Sequence, residues 1–249
     1  MAKRLRAIPG SRVVPPTGFE VAYAGPDGDE VRRTMSEAAE VPFERLSPVR
    51  SFPSYRGQRN YPGFYWSASS GRHVGYESWL ERDEAMAMDF DPTVVAFAAQ
   101  PFWLFWPEDG RVRSHAPDFF ARKADGTGVV VDCRPASRVK PRDAVRFEAT
   151  ARACADIGWG YRLVHAHEAV WLANVQWLAG YRHPRHLVEP VAAGLVEVFM
   201  EPFPLMKGAE TVGDPIAVLP TLFHLLWSRR LDVDLAVRLD SSSIVRAAS

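Results

Sequence analysis

Three stretches predict an α/β protein with a mixed central sheet flanked by helices. Val129-Val130-Val131-Asp132-Cys133 is an unbroken strand-forming run, the mark of a strand buried on both faces. A helix over about Pro141 to Ile157, with proline at its start and Gly158 at its end, leads into a strand at Gly160–His165, giving strand–helix–strand. Past residue 188 the pattern changes. Val191–Met200 and Ile216–Trp227 carry helical spacing, and Leu231–Leu235 and the segment up to Val245 alternate as two short strands. Helices followed by a β-hairpin suggest a small winged-helix-like C-terminal region, though its length also suits a helical lid packed on the core.

Composition bounds the function classes. The 249 residues are 47% hydrophobic and 12% aromatic, enough to bury a real core. No apolar run approaches the ~20 residues that span a bilayer. The start, Met1-Ala2-Lys3-Arg4-Leu5-Arg6, leads into no apolar signal segment. Two cysteines, Cys133 and Cys154, make neither a disulfide framework nor a zinc site. A cytoplasmic protein is the expectation. Net charge is zero, so a nucleic-acid partner has to be read from local patches.

Taken in order, residues 1–62 form an N-terminal extension. Lys3, Arg4, Arg6 and Arg12 stand without an acid, as a frayed terminus or a DNA-binding arm. Phe19–Tyr23 and Val31–Thr34 flank the turn Pro26-Asp27-Gly28-Asp29, a hairpin pattern. Arg50, Arg56 and Arg59 lie among Phe52, Tyr55 and Tyr61, as a phosphate-following stretch or an aromatic strap. Residues 63–182 read as the core domain. Phe64–Ser67 and His73–Tyr76 flank Ser69-Ser70-Gly71-Arg72 as a second hairpin. A helix follows from about Glu77 to Phe90, with Tyr76, Trp79, Leu80, Met86, Ala87 and Phe90 as its apolar face, and Asp91-Pro92 ends it.

Val94–Phe97 and Phe102–Trp106 read as strands broken at Gln100-Pro101, with Glu108-Asp109-Gly110 as a turn before the strand carrying Asp118. In the helix after Pro141, Ala144, Phe147, Ala151 and Cys154 give a core-facing stripe. A last core helix covers about Glu168 to Tyr181. Arg182–Val188 is basic and proline-broken, a linker to residues 183–249.

The chemistry gathers at Ser114-His115-Ala116-Pro117-Asp118-Phe119-Phe120 and at Asp132-Cys133-Arg134. Asp118 and Asp132 each end or interrupt an apolar strand, where an ionised carboxylate is costly unless paired or metal-bound. Two such carboxylates suit a hydrated Mg²⁺ beside a phosphodiester, with Mn²⁺ as substitute. Glu81 can be a third ligand or hold a metal-bound water. Arg134, two residues after Asp132 on the same side of its strand, can hold the phosphate. The same residues would also serve as an ordinary salt-bridge set, and spacing alone leaves both open. Arg138, Lys140, Arg142 and Arg146 lead from the site into a helix N-terminus, a DNA-backbone contact or a solvated helix start. Cys133 points away from its charged neighbours and is expected to be buried and inert. His165-Ala166-His167 lacks matching ligands for zinc, and no glycine-rich phosphate loop is present.

Ser78-Trp79-Leu80-Glu81, Phe90-Asp91-Pro92, Gln100-Pro101, Pro117-Asp118-Phe119 and Asp132-Cys133-Arg134-Pro135, in this order, resemble the TnsA-like endonuclease subunits of heteromeric transposases. The resemblance covers roughly residues 60–182 and extends more weakly through the last sixty. It implies a restriction-endonuclease-like PD-(D/E)xK core and a winged-helix C-terminal domain. By position, the family's helix glutamate falls on Glu81, its metal aspartate on Asp118, its second metal ligand on Asp132 and its catalytic lysine on Arg134. It further implies Mg²⁺-dependent cutting of the 5′ ends of a transposon. The implied partners are DNA, a DDE-type transposase and an ATP-dependent regulator. The departure is Arg134: a guanidinium stays protonated and cannot act as a base, though it can neutralise and orient a phosphate. Two other functions stay open, a stand-alone defence or repair nuclease and a catalytically silent DNA- or partner-binding subunit.

Overall fold

A computed structural model describes residues 17–51 and 61–248. The basic residues Lys3, Arg4, Arg6 and Arg12, and Phe52, Tyr55, Arg56 and Arg59, lie outside the described residues. The protein is mixed α/β. It groups into two compact units, residues 1–88 with 93–166, and residues 89–92 with 167–249.

In the first unit the N-terminal hairpin forms as its turn predicts, from β1 (Glu20–Ala24) and β2 (Glu30–Thr34). Gly28 closes the turn at φ 80°, a value that favours glycine. A second hairpin joins β3 (Gly63–Ser67) and β4 (Arg72–Tyr76). Helix α1 (Trp79–Phe90) follows, then β5 (Val94–Ala99), β6 (Trp103–Glu108), β7 (Arg111–His115), β8 (Phe119–Lys123) and β9 (Gly128–Cys133). Helix α2 (Pro141–Ala155) and β10 (Gly160–Val164) complete the unit.

Apart from the β3–β4 hairpin, a two-stranded sheet of its own, the strands of this unit divide between two four-stranded sheets rather than one. The mixed sheet has the order β10-β9-β8-β5, with β9 and β10 parallel and the other pairs antiparallel. The second sheet, β2-β1-β6-β7, is antiparallel throughout. The division falls at Gln100-Pro101. Gln100 sits in the left-handed region at φ 48°, and the following proline has no N–H for a ladder, so the chain leaves β5's sheet and enters the other as β6.

Residues 17–51 are therefore built into the first unit. Val21 on β1 pairs with Leu104 on β6. The Phe43 ring, fully buried, lies 5.1 Å from Tyr23, 4.8 Å from Phe102, 5.6 Å from Phe120 and 5.8 Å from Trp159, mostly edge to face. Without that segment the Phe102–Phe120–Trp159 surface would face water.

The second unit holds α3 (Ala169–Ala179), α4 (Glu189–Val198), β11 (Phe203–Pro204), α5 (Leu205–Val212), α6 (Pro215–Trp227), β12 (Leu231–Val233) and β13 (Ile244–Ala247). Its small sheet has the order β11-β13-β12. Asn174 on α3 is buried, and its amide donates to the carbonyls of Leu235 and Val237 and accepts from the Leu239 N–H, pinning the loop before β13. The stretch read as a linker is packed within this unit. Thr221 Oγ1 donates to the His186 carbonyl at 2.8 Å, and His224 Nδ1 lies 2.8 Å from the Tyr181 carbonyl. The compact units accordingly divide at 166/167, not at 182/183, and α3 belongs to the second. Among the described residues no helix is long and apolar enough to cross a membrane.

Candidate active site

Strands β8 and β9 set the two aspartates side by side. Phe119 pairs with Val131 in this antiparallel ladder, so one further step places Asp118 opposite Asp132 on one face. The backbone of Asp118 is fixed by the Gln100 N–H, which donates to its carbonyl at 2.9 Å. Its carboxylate accepts from the Cys133 N–H at 2.7 Å. Asp132 is 1% exposed and held from two directions. His115 Nε2, from the end of β7 in the other sheet, lies 2.9 Å from Oδ1. The Tyr161 hydroxyl donates to Oδ2 at 3.0 Å. Leu163 on β10 pairs with Asp132, and Tyr161, two residues earlier, shares its face. Burial first, then the Asp132 charge, pushes the Tyr161 hydroxyl far above its ordinary range, so it remains a donor.

Glu81 enters from the first turn of α1. Its Oε2 accepts from the Glu77 N–H at 2.7 Å and its Oε1 from Ser78 Oγ at 2.8 Å, while its own N–H donates to Ser78 Oγ at 3.3 Å. Ser78 thus caps the Glu81 N–H, while the carboxylate reaches back past it to the Glu77 N–H, a structural duty that engages both oxygens. Burial raises the Glu81 carboxyl, and the Glu77 charge adds to the rise. Asp118 is raised well above its ordinary range by burial, then by the charges of Glu81 and Asp132; the Cys133 N–H and Arg50 oppose them.

Met86 and Phe90 of the predicted apolar face are buried, but the buried face also takes in the acids beside it and leaves out Trp79. Glu81, Glu84, Ala85 and Met88, at helical spacing, are buried, whereas Trp79 is 49% exposed. Glu84 pairs with Arg162. The acids turn inward because each has a partner there, and the tryptophan is left at the surface.

Arg134 stands beyond Asp132. Its Nη2 lies 3.2 Å from Asp143 Oδ2, at the first turn of α2. Asp143 also pairs with Arg146, lies 3.9 Å from Arg142 Nε, and accepts from the Lys140 N–H at 3.2 Å. Burial would push the Asp143 carboxyl up, but the Lys140 N–H and the Arg146 and Arg134 guanidiniums outweigh it and hold it below the usual range. This acid rotates the buried stripe of α2 to Asp143, Ala149, Thr150, Ala153 and Cys154. Ala144 is exposed, and Phe147 packs 6.0 Å from the His115 ring. Asp143→Ala leaves three guanidiniums without their shared anion. It is expected to lower stability by about 1–3 kcal/mol, the exposed arginines keeping the loss below that of a fully buried pair, as measured by urea unfolding.

Asp118, Asp132, Glu81, Arg134, Arg138 and Arg146 all line one cleft of about 790 Å³. Lys140 and Arg142 are exposed at the start of α2 and do not line it. Among the described residues no group of three or more His, Cys, Asp or Glu side chains is gathered tightly enough to hold a metal ion by itself. Glu81 is thus not drawn with the two aspartates into a three-ligand set. The residues still fit a hydrated divalent ion. Mg²⁺ is commonly held by one or two carboxylates with water filling the remaining positions, and the buried, mutually repelling Asp118 and Asp132 supply such a pair.

Sequence reading missed His115 and Tyr161 as supports of Asp132, and Asp143 as the partner of Arg134. His115 lies 17 residues and Tyr161 29 residues from Asp132, and only strand pairing brings them together. Cys133 is buried, as its strand position implies, and burial pushes its thiol far up, leaving no reactive thiolate. His165 Nδ1 lies 2.7 Å from the Arg134 carbonyl and takes no part in a ligand cluster.

The chain matches no protein-family model, and comparison with the curated proteins gives no match.

Proposed function

We propose that this chain is a Mg²⁺-dependent DNA endonuclease subunit of a heteromeric transposase, cutting the 5′ ends of a transposon by phosphodiester hydrolysis. The observation that carries the reading is the Asp118–Asp132 pair facing one cleft with Arg134, Arg138 and Arg146. Asp118 and Asp132 would hold the ion, which would supply positive charge at the phosphate and an activated water. Arg134 and Arg146 offer fixed cations to the phosphate's oxygens, anchored by Asp143. His115 and Tyr161 keep Asp132 in one orientation.

A mixed sheet carrying two adjacent acids, with a cation two residues on, supports a restriction-endonuclease-like core. In the second unit, the order helix, strand, helix, helix, strand, strand from α4 to β13, and the sheet order β11-β13-β12, support a winged-helix-like region. Its third helix, α6, is largely buried and apolar, from Val218 through Trp227. A base-reading helix has to offer polar side chains to a groove. Target choice is therefore assigned to the partners, a DDE-type transposase and an ATP-dependent regulator. A catalytically silent DNA- or partner-binding role is the second reading, favoured by arginine at position 134, which cannot act as a base.

Nicking of supercoiled plasmid, with and without the partner transposase, tests the proposal. Cutting that requires Mg²⁺ or Mn²⁺ and stops with chelator is the expected result. No cutting in any combination, with no divalent-ion binding by calorimetry, sinks it in favour of the silent role.

A further inference from the structure

We propose that Tyr61 and Trp79 form a stacking platform for an unpaired nucleobase in the candidate cleft, so that DNA there is gripped by a base as well as by its phosphates. The inference takes its ligand, DNA, from the nuclease reading, but no catalytic step enters it.

Trp79 begins α1, two residues before Glu81. The turn that carries Glu81 inward leaves Trp79 outward, 49% exposed, and Tyr61 beside it is 61% exposed. Their rings lie 5.5 Å apart and 30° from coplanar. The Arg82 guanidinium lies 4.3 Å from the Trp79 ring centre and is itself fixed by Asp83 at 2.8 Å. An aromatic pair so placed, backed by a cation, is already ordered before any ligand arrives.

Both rings line the cleft that holds Asp118, Arg134 and Arg146. A hydrophobic peptide would have to bury those carboxylates and guanidiniums without partners. A nucleotide satisfies both halves of the cleft, its phosphate meeting the guanidiniums and its base the rings. Within a duplex both faces of a base are covered by its neighbours. The ligand is therefore a base that is single-stranded, terminal or splayed from the stack. Stacking is indifferent to base identity, so the platform gives preference for unpaired DNA rather than for a sequence.

The test compares a fluorescently labelled thymidine 12-mer with an abasic 12-mer carrying the same phosphates, by anisotropy in Ca²⁺. The wild type is expected to bind the thymidine oligomer about tenfold or more tightly than the abasic one. The Tyr61→Ala/Trp79→Ala double variant should bind both equally, with abasic affinity unchanged, and Trp79→Phe should restore much of the difference. Thermal melting of each variant verifies the fold. Equal binding of the two oligomers by the wild type, no binding of either, or a preference that survives the double substitution, overturns the platform. Discrimination with neither plasmid nicking in any combination nor divalent-ion binding would keep the platform and remove the nuclease reading, so the two fail separately.

Discussion

Asp118→Ala is expected to abolish metal-dependent nicking, by about a thousandfold or more, and to remove divalent-ion binding in calorimetry. The second readout matters because a variant that still binds the ion would move Asp118 out of the ligand set. Asp118→Asn separates charge from shape. In the metal-free protein the raised Asp118 carboxyl means that the folded state holds its proton at pH values where the unfolded chain has lost it. Stability should then rise as pH falls from the raised value toward the ordinary carboxylate range, and be lost as pH climbs back through that window. The asparagine variant should flatten this dependence, although Glu81, also raised, keeps part of it. Saturating Mg²⁺ should stabilise the wild type at neutral pH by about 2.7 kcal/mol at a hundred times its Kd, and the asparagine variant far less. Thermal midpoints across the pH range, with and without the ion, read both effects.

Arg134→Ala is expected to reduce nicking about 100- to 1,000-fold, the usual loss when one fixed donor to a developing charge is removed. Arg134→Lys discriminates between two roles. A cation that only holds the phosphate should work nearly as well as lysine, with the loss confined to weaker geometry, so the lysine variant should stay within about tenfold of the wild type. A role that needs a releasable proton would make the lysine variant clearly faster and give it a rising pH profile. Single-turnover nicking across pH decides between them. Because Asp143 anchors Arg134 at 3.2 Å, the same measurement on Asp143→Asn should show part of the Arg134→Ala loss.

Local signals made much of this fold legible. Both early hairpins, the helices after Ser78 and Lys140, and the β8–β9 pair carry turn residues, proline and glycine punctuation, or apolar runs that act over a few residues. What stayed hidden is long-range. Nothing near Val21 reports that its partner is Leu104, so the strands' division into two sheets could not be read. Helix faces were misjudged for a different reason. An apolar-face count puts Trp79 inside with Glu81 and Glu84 alongside, but the Glu77 N–H and Ser78 hydroxyl, which donate to Glu81, and the Arg162 partner of Glu84 draw the acids in and leave the tryptophan out. At the site, Asp118 and Asp132 announce themselves as charges in apolar strands. His115 and Tyr161 look like ordinary strand residues until the ladder closes around Asp132.

The pairing of β1 with β6 also orders events during synthesis. The first hairpin, complete at Thr34, leaves the ribosome about seventy residues before β6, which starts at Trp103, a long interval at ordinary elongation rates. During that interval Phe43 has no Phe102, Phe120 or Trp159 to pack against, and the open edge of β1 offers its backbone to any neighbouring chain. Closure of this sheet is a non-local step that must await β6, so the nascent chain is most prone to aggregate early, before any of the chemistry-bearing strands exists.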